Sequence, residues 1–128
     1  GWNDALNLAF ADWNQLDLST KTWSLRSDVG QIEAYDSMSC VLVGSTVYAF
    51  GGWSDVMIEN KLLSINLQQP FYSQTWSIVH SSVISPIRRS HHSAVTVGNQ
   101  MFVFGGEVHK AAHLLLYHMQ YLLPSEQG

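Results

Sequence analysis

The stretch that decides the fold is Val41–Gly52, VLVGSTVYAFGG, which returns 54 positions later as Val95–Gly106, VTVGNQMFVFGG. Seven of the twelve positions are identical or exchange one aromatic residue for another. Each copy holds two short apolar runs joined by Gly-Ser or Gly-Asn, which is the pattern of a β-hairpin closed by a two-residue turn with positive φ. The chain therefore contains an internal repeat, and we assign the other strands by their positions within that repeat.

Two further runs recur outside the hairpins. Leu16–Leu18 and Thr22–Leu25 return as Ile65–Leu67 and Thr75–Ile78, and the second run contains a tryptophan in both copies. The segment between the two runs is four residues longer in the later copy than in the earlier one. Each repeat is therefore predicted to hold four strands, a to d. In the complete copy these are Val41–Val43, Val47–Phe50, Lys61–Leu67 and Gln74–Val79.

The hairpin strands are apolar at nearly every position, so we expect neighbouring sheets to cover both of their faces. A double glycine ends each hairpin. Two adjacent residues without Cβ allow dihedral angles closed to other residues and let a neighbouring backbone or ring approach closely.

These features resemble the kelch repeat, which has a period of about 50 residues and an aromatic strand ending in Gly-Gly, with a tryptophan further on. Arg89 followed by His92 matches the kelch spacing before strand a, whereas the other copy has Tyr35 and Met38 there. The resemblance implies an all-β, kelch-type propeller segment of four-stranded antiparallel blades. It gives structural roles to Gly51, Gly52, Gly105, Gly106, Trp23, Trp76, Arg89 and His92.

The repeat frame divides the chain into three parts and about two blades, beginning in mid-blade. Residues 1–37 supply strands c and d of a first blade, 38–80 a complete blade, and 81–128 strands a to c of a further blade. Its strand c falls within His113–Leu122. Because known propellers close with about four to eight blades, we expect open apolar sheet faces that contact remaining blades or drive self-association. A two-sheet sandwich built from the same hairpins is the alternative fold.

Alternating strand direction places the d-to-a and b-to-c connections on one side of the propeller. The long loops are there: Ser27–Tyr35, Ser54–Asn60, Ser81–Arg89 and Val108–Ala112. Long loops on a rigid scaffold are where recognition usually occurs. The candidate partner-binding residues are Glu33, Tyr35, Trp53, Asp55, Arg88, Glu107 and His109, a mixture suited to a polar peptide with one aromatic anchor.

Composition narrows the classes of partner. The net charge is −4, charged residues make up only 12% of the chain, and no basic run occurs, which argues against nucleic acid or an anionic membrane. No apolar run approaches the roughly 18 residues that cross a bilayer. Cys40 is the single cysteine and no Asn-x-Ser/Thr sequon is present, so the sequence favours a cytoplasmic location.

Two chemical hypotheses compete with structural explanations of the same residues. His109 and His113 would share a face on a helix, as zinc ligands can, but on a strand His113 and His118 point to opposite faces, so we expect no metal site. Galactose oxidase, a copper enzyme with a kelch-like domain, uses tyrosine, histidine and a tyrosine–cysteine link. Cys40, Tyr35 and Tyr48 supply these residue types without the spacing, and we expect Cys40 to be a buried strand cysteine.

The sequence thus predicts a protein–protein interaction module of the adaptor or scaffold type, without catalysis and without a cofactor. Part of a galactose oxidase-like copper enzyme is the alternative function, and a purely structural segment of a larger assembly is another. Gly-x-Ser-x-Gly elbows, phosphate-binding loops and paired-carboxylate motifs are missing from the sequence.

Overall fold

The computed structural model describes residues 2–27, 29, 33–54, 56–81, 83–108 and 119–121. The strands in this part of the chain are β1 (Trp2–Asn3), β2 (Leu8–Ala9), β3 (Asn14–Asp17), β4 (Thr22–Leu25), β5 (Tyr35–Asp36), β6 (Ser39–Val43), β7 (Thr46–Phe50), β8 (Trp53–Ser54), β9 (Leu62–Asn66), β10 (Ser77–Ile78), β11 (Ser93–Val97), β12 (Gln100–Phe104) and β13 (Met119–Tyr121). A short 3-10 helix, Phe71–Ser73, lies between β9 and β10. All paired strands are antiparallel, which confirms the all-β prediction.

The central sheet has the strand order β10-β9-β7-β6, so four consecutive predicted strands form one blade. The β6–β7 hairpin turns at Gly44, whose φ of 58° is the left-handed conformation that glycine adopts at low cost. The connection from β9 to β10 is longer and is fixed by the buried Gln74. The side-chain Nε2 of Gln74 donates hydrogen bonds to the backbone carbonyl oxygens of Leu67, at 3.1 Å, and Gln69, at 2.8 Å.

The hairpin of the sheet β11-β12-β13 has the same strand register as the hairpin of the central sheet. Val95 pairs with Phe102 as Val41 pairs with Tyr48, and Gly98 closes the turn with a φ of 60°. The predicted strand c of this blade includes β13, which pairs with β12. The rest of His113–Leu122 lies outside the described residues.

The first strand pair, β3–β4, occupies the positions predicted for strands c and d. Its tight turn is closed by Asp17, whose carboxylate accepts hydrogen bonds from the backbone nitrogens of Ser19 and Thr20. These bonds, led by one from the Ser19 hydroxyl, lower the pKa of Asp17 to about 2. Lys21, the last residue of the turn, is exposed.

We call the sheet β10-β9-β7-β6 the second blade and the sheet β11-β12-β13 the third blade. The main core lies where these two blades meet. Met101 and Val103 of β12 pack with Val41, Phe50 and Leu62 of the central sheet, and all five are buried. The prediction that both hairpins are covered on both faces is wrong for the described residues: the side chains of Leu42 and Val95 are 56% and 60% exposed. Each hairpin is covered where the other lies against it. On the opposite face of the β6–β7 hairpin only part is covered, because Ala49 is buried against Tyr35 and Leu63. In the part of the chain that the structure describes, no helix is long and apolar enough to span a bilayer.

Candidate loop surface

The residues that precede strand a and follow strand b of each blade form one surface, which we call the loop surface. In the second blade β5 pairs with β8, so that Asp36 lies opposite Trp53. The third blade repeats this pairing as a bridge between Ser90 and Glu107, whose backbones exchange hydrogen bonds of 3.0 and 2.9 Å. The loop surface consists of residues 33–37, 53, 59–61, 88, 90–91 and 107.

A network of two acids, one tyrosine and one lysine forms the first part of this surface. The Tyr35 hydroxyl donates a hydrogen bond of 2.8 Å to Glu33, and Lys61 Nζ lies 3.2 Å from the same carboxylate and 3.7 Å from that of Glu59. The Tyr35 hydrogen bond, followed by the interaction with Lys61, lowers the pKa of Glu33. Burial and the bond to Glu33 raise the pKa of Tyr35, and the bond to Glu33 raises the pKa of Lys61. The carboxylate of Glu33 therefore stays charged at neutral pH, and the Glu33 side chain is 67% exposed.

His91 joins the loops of the second and third blades. Its Nδ1 lies 2.9 Å from a Glu107 carboxylate oxygen, its Nε2 lies 3.0 Å from the Ser37 hydroxyl, and its backbone nitrogen donates to the Ser37 carbonyl oxygen at 3.0 Å. Ser37 and His91 are 54 residues apart, so they are equivalent positions of the repeat, and both have positive φ, 53° and 56°. Such angles are uncommon outside glycine, so the repeat preserves a bend here.

Two residues with expected structural roles, Arg89 and His92, lie beneath the loop surface. Arg89 is buried and donates from Nε to the Ile87 carbonyl oxygen and from Nη1 to that of Gly105, each at 3.1 Å. Burial lowers its pKa. The buried ring of His92 meets Phe50 edge to face, with centroids 5.5 Å apart. Burial, and next the charge of Arg89, lowers the pKa of His92 to about 4, so the ring is neutral near pH 7.

The double glycine lets the blades come together at this point. Gly51 and Gly52 have φ of 65° and 92°. A Cβ on Gly51 would stand 2.5 Å from the carbonyl oxygen of Arg89 and 2.8 Å from Cε1 of His92. The Gly52 nitrogen donates a 2.8 Å hydrogen bond to the Arg89 carbonyl oxygen. In the other double glycine, Gly105 and Gly106 also have positive φ.

The remaining candidate residues occupy different environments. Arg88 is exposed and Trp53 is half-buried, whereas Asp55 and His109 lie outside the described residues. Trp76 is half-buried and meets Trp13 edge to face, with ring centroids 5.4 Å apart. Trp23, its equivalent in the repeat, is 70% exposed.

The structure contradicts the expectation that Cys40 is a buried strand cysteine, because its side chain is exposed. It lines a groove of about 430 Å³ between the β3–β4 pair and the central sheet, together with Trp13, Tyr35, Met38 and Trp76 among others. These surrounding groups desolvate the thiol and raise its pKa. Cys40 is accessible because no hairpin lies against this side of β6 in the described residues.

Among the described residues, no three His, Cys, Asp or Glu side chains are grouped closely enough to hold a metal ion. His109, His113 and His118, the histidines considered for a metal site, lie outside that part of the chain. Sequence reasoning misses the roles of Ser37, Glu59, Lys61 and His91. The shared repeat position of Ser37 and His91 is the signal that could have found two of them.

Comparison with known proteins agrees with the repeat. Residues 1–122 match the family model of the KLHDC2/KLHL20/DRC7 Kelch-repeats domain. The chain is 28% identical over 103 residues to the human Rab9 effector protein with kelch motifs, with 78% of this chain and 27% of that protein covered. It is 30% identical over 112 residues to Kelch domain-containing protein 3 of Rattus norvegicus, with 83% and 27% covered.

A third relative is the Rho GTPase-activating protein gacHH of Dictyostelium discoideum, 27% identical over 70 residues, which are 55% of this chain and 4% of that protein. The chain thus spans about a quarter of the first two relatives and a small part of the third. The hairpin repeat, the double glycines at the blade junction and the family match lead to one conclusion: this chain belongs to the kelch-repeat family.

Proposed function

We propose that this chain is a protein-interaction module of the adaptor or scaffold type, and that its loop surface binds a protein or peptide. The observation that carries the proposal is the link Ser37–His91–Glu107, which ties the loops of two blades together. Loops fixed to one another on a β scaffold present their side chains in a constant arrangement. Such an arrangement lowers the entropy cost of binding.

The chemistry of the surface favours a partner with both polar and aromatic groups. Arg88 is exposed and offers a planar donor for a carboxylate, Glu33 offers an exposed carboxylate, and Trp53 offers a partly exposed ring. Arginine and tryptophan are enriched among the residues that contribute most to protein interfaces. We therefore expect Arg88 and Trp53 to contribute most of the affinity.

The relatives support a protein partner. One of them is named as an effector of Rab9, and it shares kelch motifs with this chain. A cytoplasmic location is part of the proposal and rests on the single cysteine and the missing sequon. Fluorescence microscopy of the tagged protein tests it.

The experiment compares affinity capture by the tagged chain and three variants, with the captured proteins quantified by mass spectrometry. Arg88→Glu and Trp53→Ala change the loop surface. Lys21→Glu introduces the same charge reversal as Arg88→Glu, but in the exposed β3–β4 turn, which is not part of the loop surface. Circular dichroism checks that all variants are folded.

We expect partners that are retained by Lys21→Glu and lost with both loop-surface variants. Titration of such a partner should then show about tenfold or greater weakening for Arg88→Glu. Equal binding by Arg88→Glu and the unmodified chain, or equal loss with Lys21→Glu, would show that the loop surface is not the binding site.

A further inference from the structure

Three side chains of the loop surface are connected in the order hydroxyl, imidazole, carboxylate. The Ser37 Oγ lies 3.0 Å from Nε2 of His91, and Nδ1 of the same ring lies 2.9 Å from a carboxylate oxygen of Glu107. The three residues come from three separate loops of two blades. A serine and an acid joined through the two nitrogens of one histidine form the arrangement of a serine hydrolase, which is recognised by geometry rather than by sequence position.

The neighbours of the His91 ring determine which nitrogen carries its proton. An ionised carboxylate can only accept hydrogen bonds, so Nδ1, which faces Glu107, carries the proton of the neutral ring. The Ser90 hydroxyl, 3.3 Å from Nδ1, can accept a hydrogen bond from it as well. The lone pair of Nε2 then faces the Ser37 hydroxyl, which donates to it. His91 is therefore placed to take the proton of Ser37 as a general base.

Main-chain hydrogen bonds hold all three residues in position. The backbone nitrogen of His91 donates to the carbonyl oxygen of Ser37 at 3.0 Å, and Ser90 exchanges backbone hydrogen bonds of 3.0 and 2.9 Å with Glu107. The His91 side chain is 60% exposed and that of Glu107 is 20% exposed. The base is thus open to a molecule from solvent, the acid is mostly enclosed, and little rearrangement is needed before a reaction.

We propose that Ser37 is a nucleophile activated by His91, and that this site accepts acyl groups from esters of acidic phenols. The Ser37 oxygen bonds to the acyl carbon while its proton passes to Nε2 of His91, and the phenolate leaves with the electrons of the broken C–O bond. His91 gives its extra proton to solvent. Glu107 is a positioning residue, because it orients the ring without touching the ester.

Water completes the reaction. It gives a proton to Nε2 of His91 as its oxygen bonds to the acyl carbon, and His91 passes that proton to the departing Ser37 oxygen. The carboxylic acid is released and the Ser37 hydroxyl is restored. Esters of acidic phenols suit the site because a phenolate departs without taking a proton from the protein. The reaction needs no protein partner, so it is independent of the binding function proposed above.

Labelling of the 128-residue chain with a fluorescent fluorophosphonate, followed by peptide mapping, tests the nucleophile. Such a reagent forms a bond between the serine oxygen and phosphorus as fluoride leaves. We expect the label on Ser37, and we expect Ser37→Ala and Ser37→Gly to lose it. The glycine variant adopts the φ of 53° at low cost, so its fold should be retained.

Ser45 is the internal control for this labelling. It is half-buried like Ser37, but its hydroxyl donates to the Asn66 side chain at 3.4 Å instead of to a histidine. Ser37→Ala should also release p-nitrophenolate from p-nitrophenyl acetate more slowly than Ser45→Ala does. A label that is absent from Ser37 or equal on the two serines would overturn the proposal, and equal release by the two variants would overturn the acyl transfer.

The rate of labelling at Ser37 tests the other two residues. His91→Ala should react about a hundredfold more slowly, and added imidazole should restore much of the rate because it supplies the missing base. Glu107→Gln should react about tenfold or more slowly, whereas Glu107→Asp, which keeps a carboxylate, should lose less. Circular dichroism checks that the variants are folded. An unchanged rate in His91→Ala, or a loss that imidazole does not restore, would overturn the role of His91 as the base.

Discussion

A Cβ atom on Gly51 would stand 2.5 Å from the carbonyl oxygen of Arg89, although the two residues belong to successive blades. Gly51→Ala therefore combines a left-handed backbone with a collision between blades, and we expect a loss of about 3 kcal/mol in the free energy of unfolding. Gly44→Ala is the matched control, because φ is 58° there but nothing lies within 4 Å of the added atom. It should cost only about 1 kcal/mol. Chemical denaturation measures both, and equal costs would contradict the close junction.

The buried His92 predicts a loss of stability in acid. Its pKa is about 4 in the folded chain against an ordinary value of 6.5, so the unfolded chain binds more protons between these values. The free energy of unfolding should fall as the pH drops from about 6.5 toward 4, by about 2–3 kcal/mol from this residue. His92→Met, which introduces the residue found at the equivalent Met38, should remove this part of the pH dependence. His80→Met, outside the junction between the blades, should leave it unchanged.

Trp13 and Trp76 should be energetically coupled across the first and second blades. Trp76→Ala should cost about 2 kcal/mol, less than the roughly 3–5 kcal/mol of a fully buried ring, because Trp76 is half-buried. A double-mutant cycle with Trp13→Ala should give a coupling of about 1 kcal/mol. Trp23→Ala, at the equivalent exposed position, should cost less than about 0.5 kcal/mol. A coupling near zero would show that the edge-to-face contact does not stabilise the fold.

The accessible Cys40 should react with a disulfide reagent while the chain is folded. Because the groove residues partly desolvate the accessible thiol and raise its pKa, less thiolate is present at about pH 8, and the reaction should be slower than for a small-molecule thiol. The rate should rise as the pH is increased further. Labelling only after addition of denaturant would mean that Cys40 is enclosed.

The strands and turns could be predicted because their signals are local. The glycines at 44 and 98, the apolar runs around them and the repeat spacing are enough to identify both hairpins. The exposure of Cys40 and Leu42 could not be predicted in the same way, because an apolar strand looks alike whether or not a neighbouring sheet covers it.

The details of the loop surface depend on contacts between distant parts of the chain. Lys61 reaches Glu33 from 28 positions away, and His91 reaches Ser37 from 54 positions away. Nothing in the spacing of Lys61 and Glu33 signals that contact. Strand direction predicts that the loops lie at this end. Which side chains connect the loops depends on how the blades pack against each other.

The main chain supplies several of the bonds at the junction between the blades. The backbone nitrogen of Gly52 donates to the carbonyl oxygen of Arg89, and the backbone nitrogen of Arg89 donates to the carbonyl oxygen of Glu59. The backbone nitrogen of His91 donates to the carbonyl oxygen of Ser37. Any residue except proline can donate such a hydrogen bond, because it has a backbone N–H group. Side chains at these positions can therefore change without removing the main-chain hydrogen bonds that set one blade against the next.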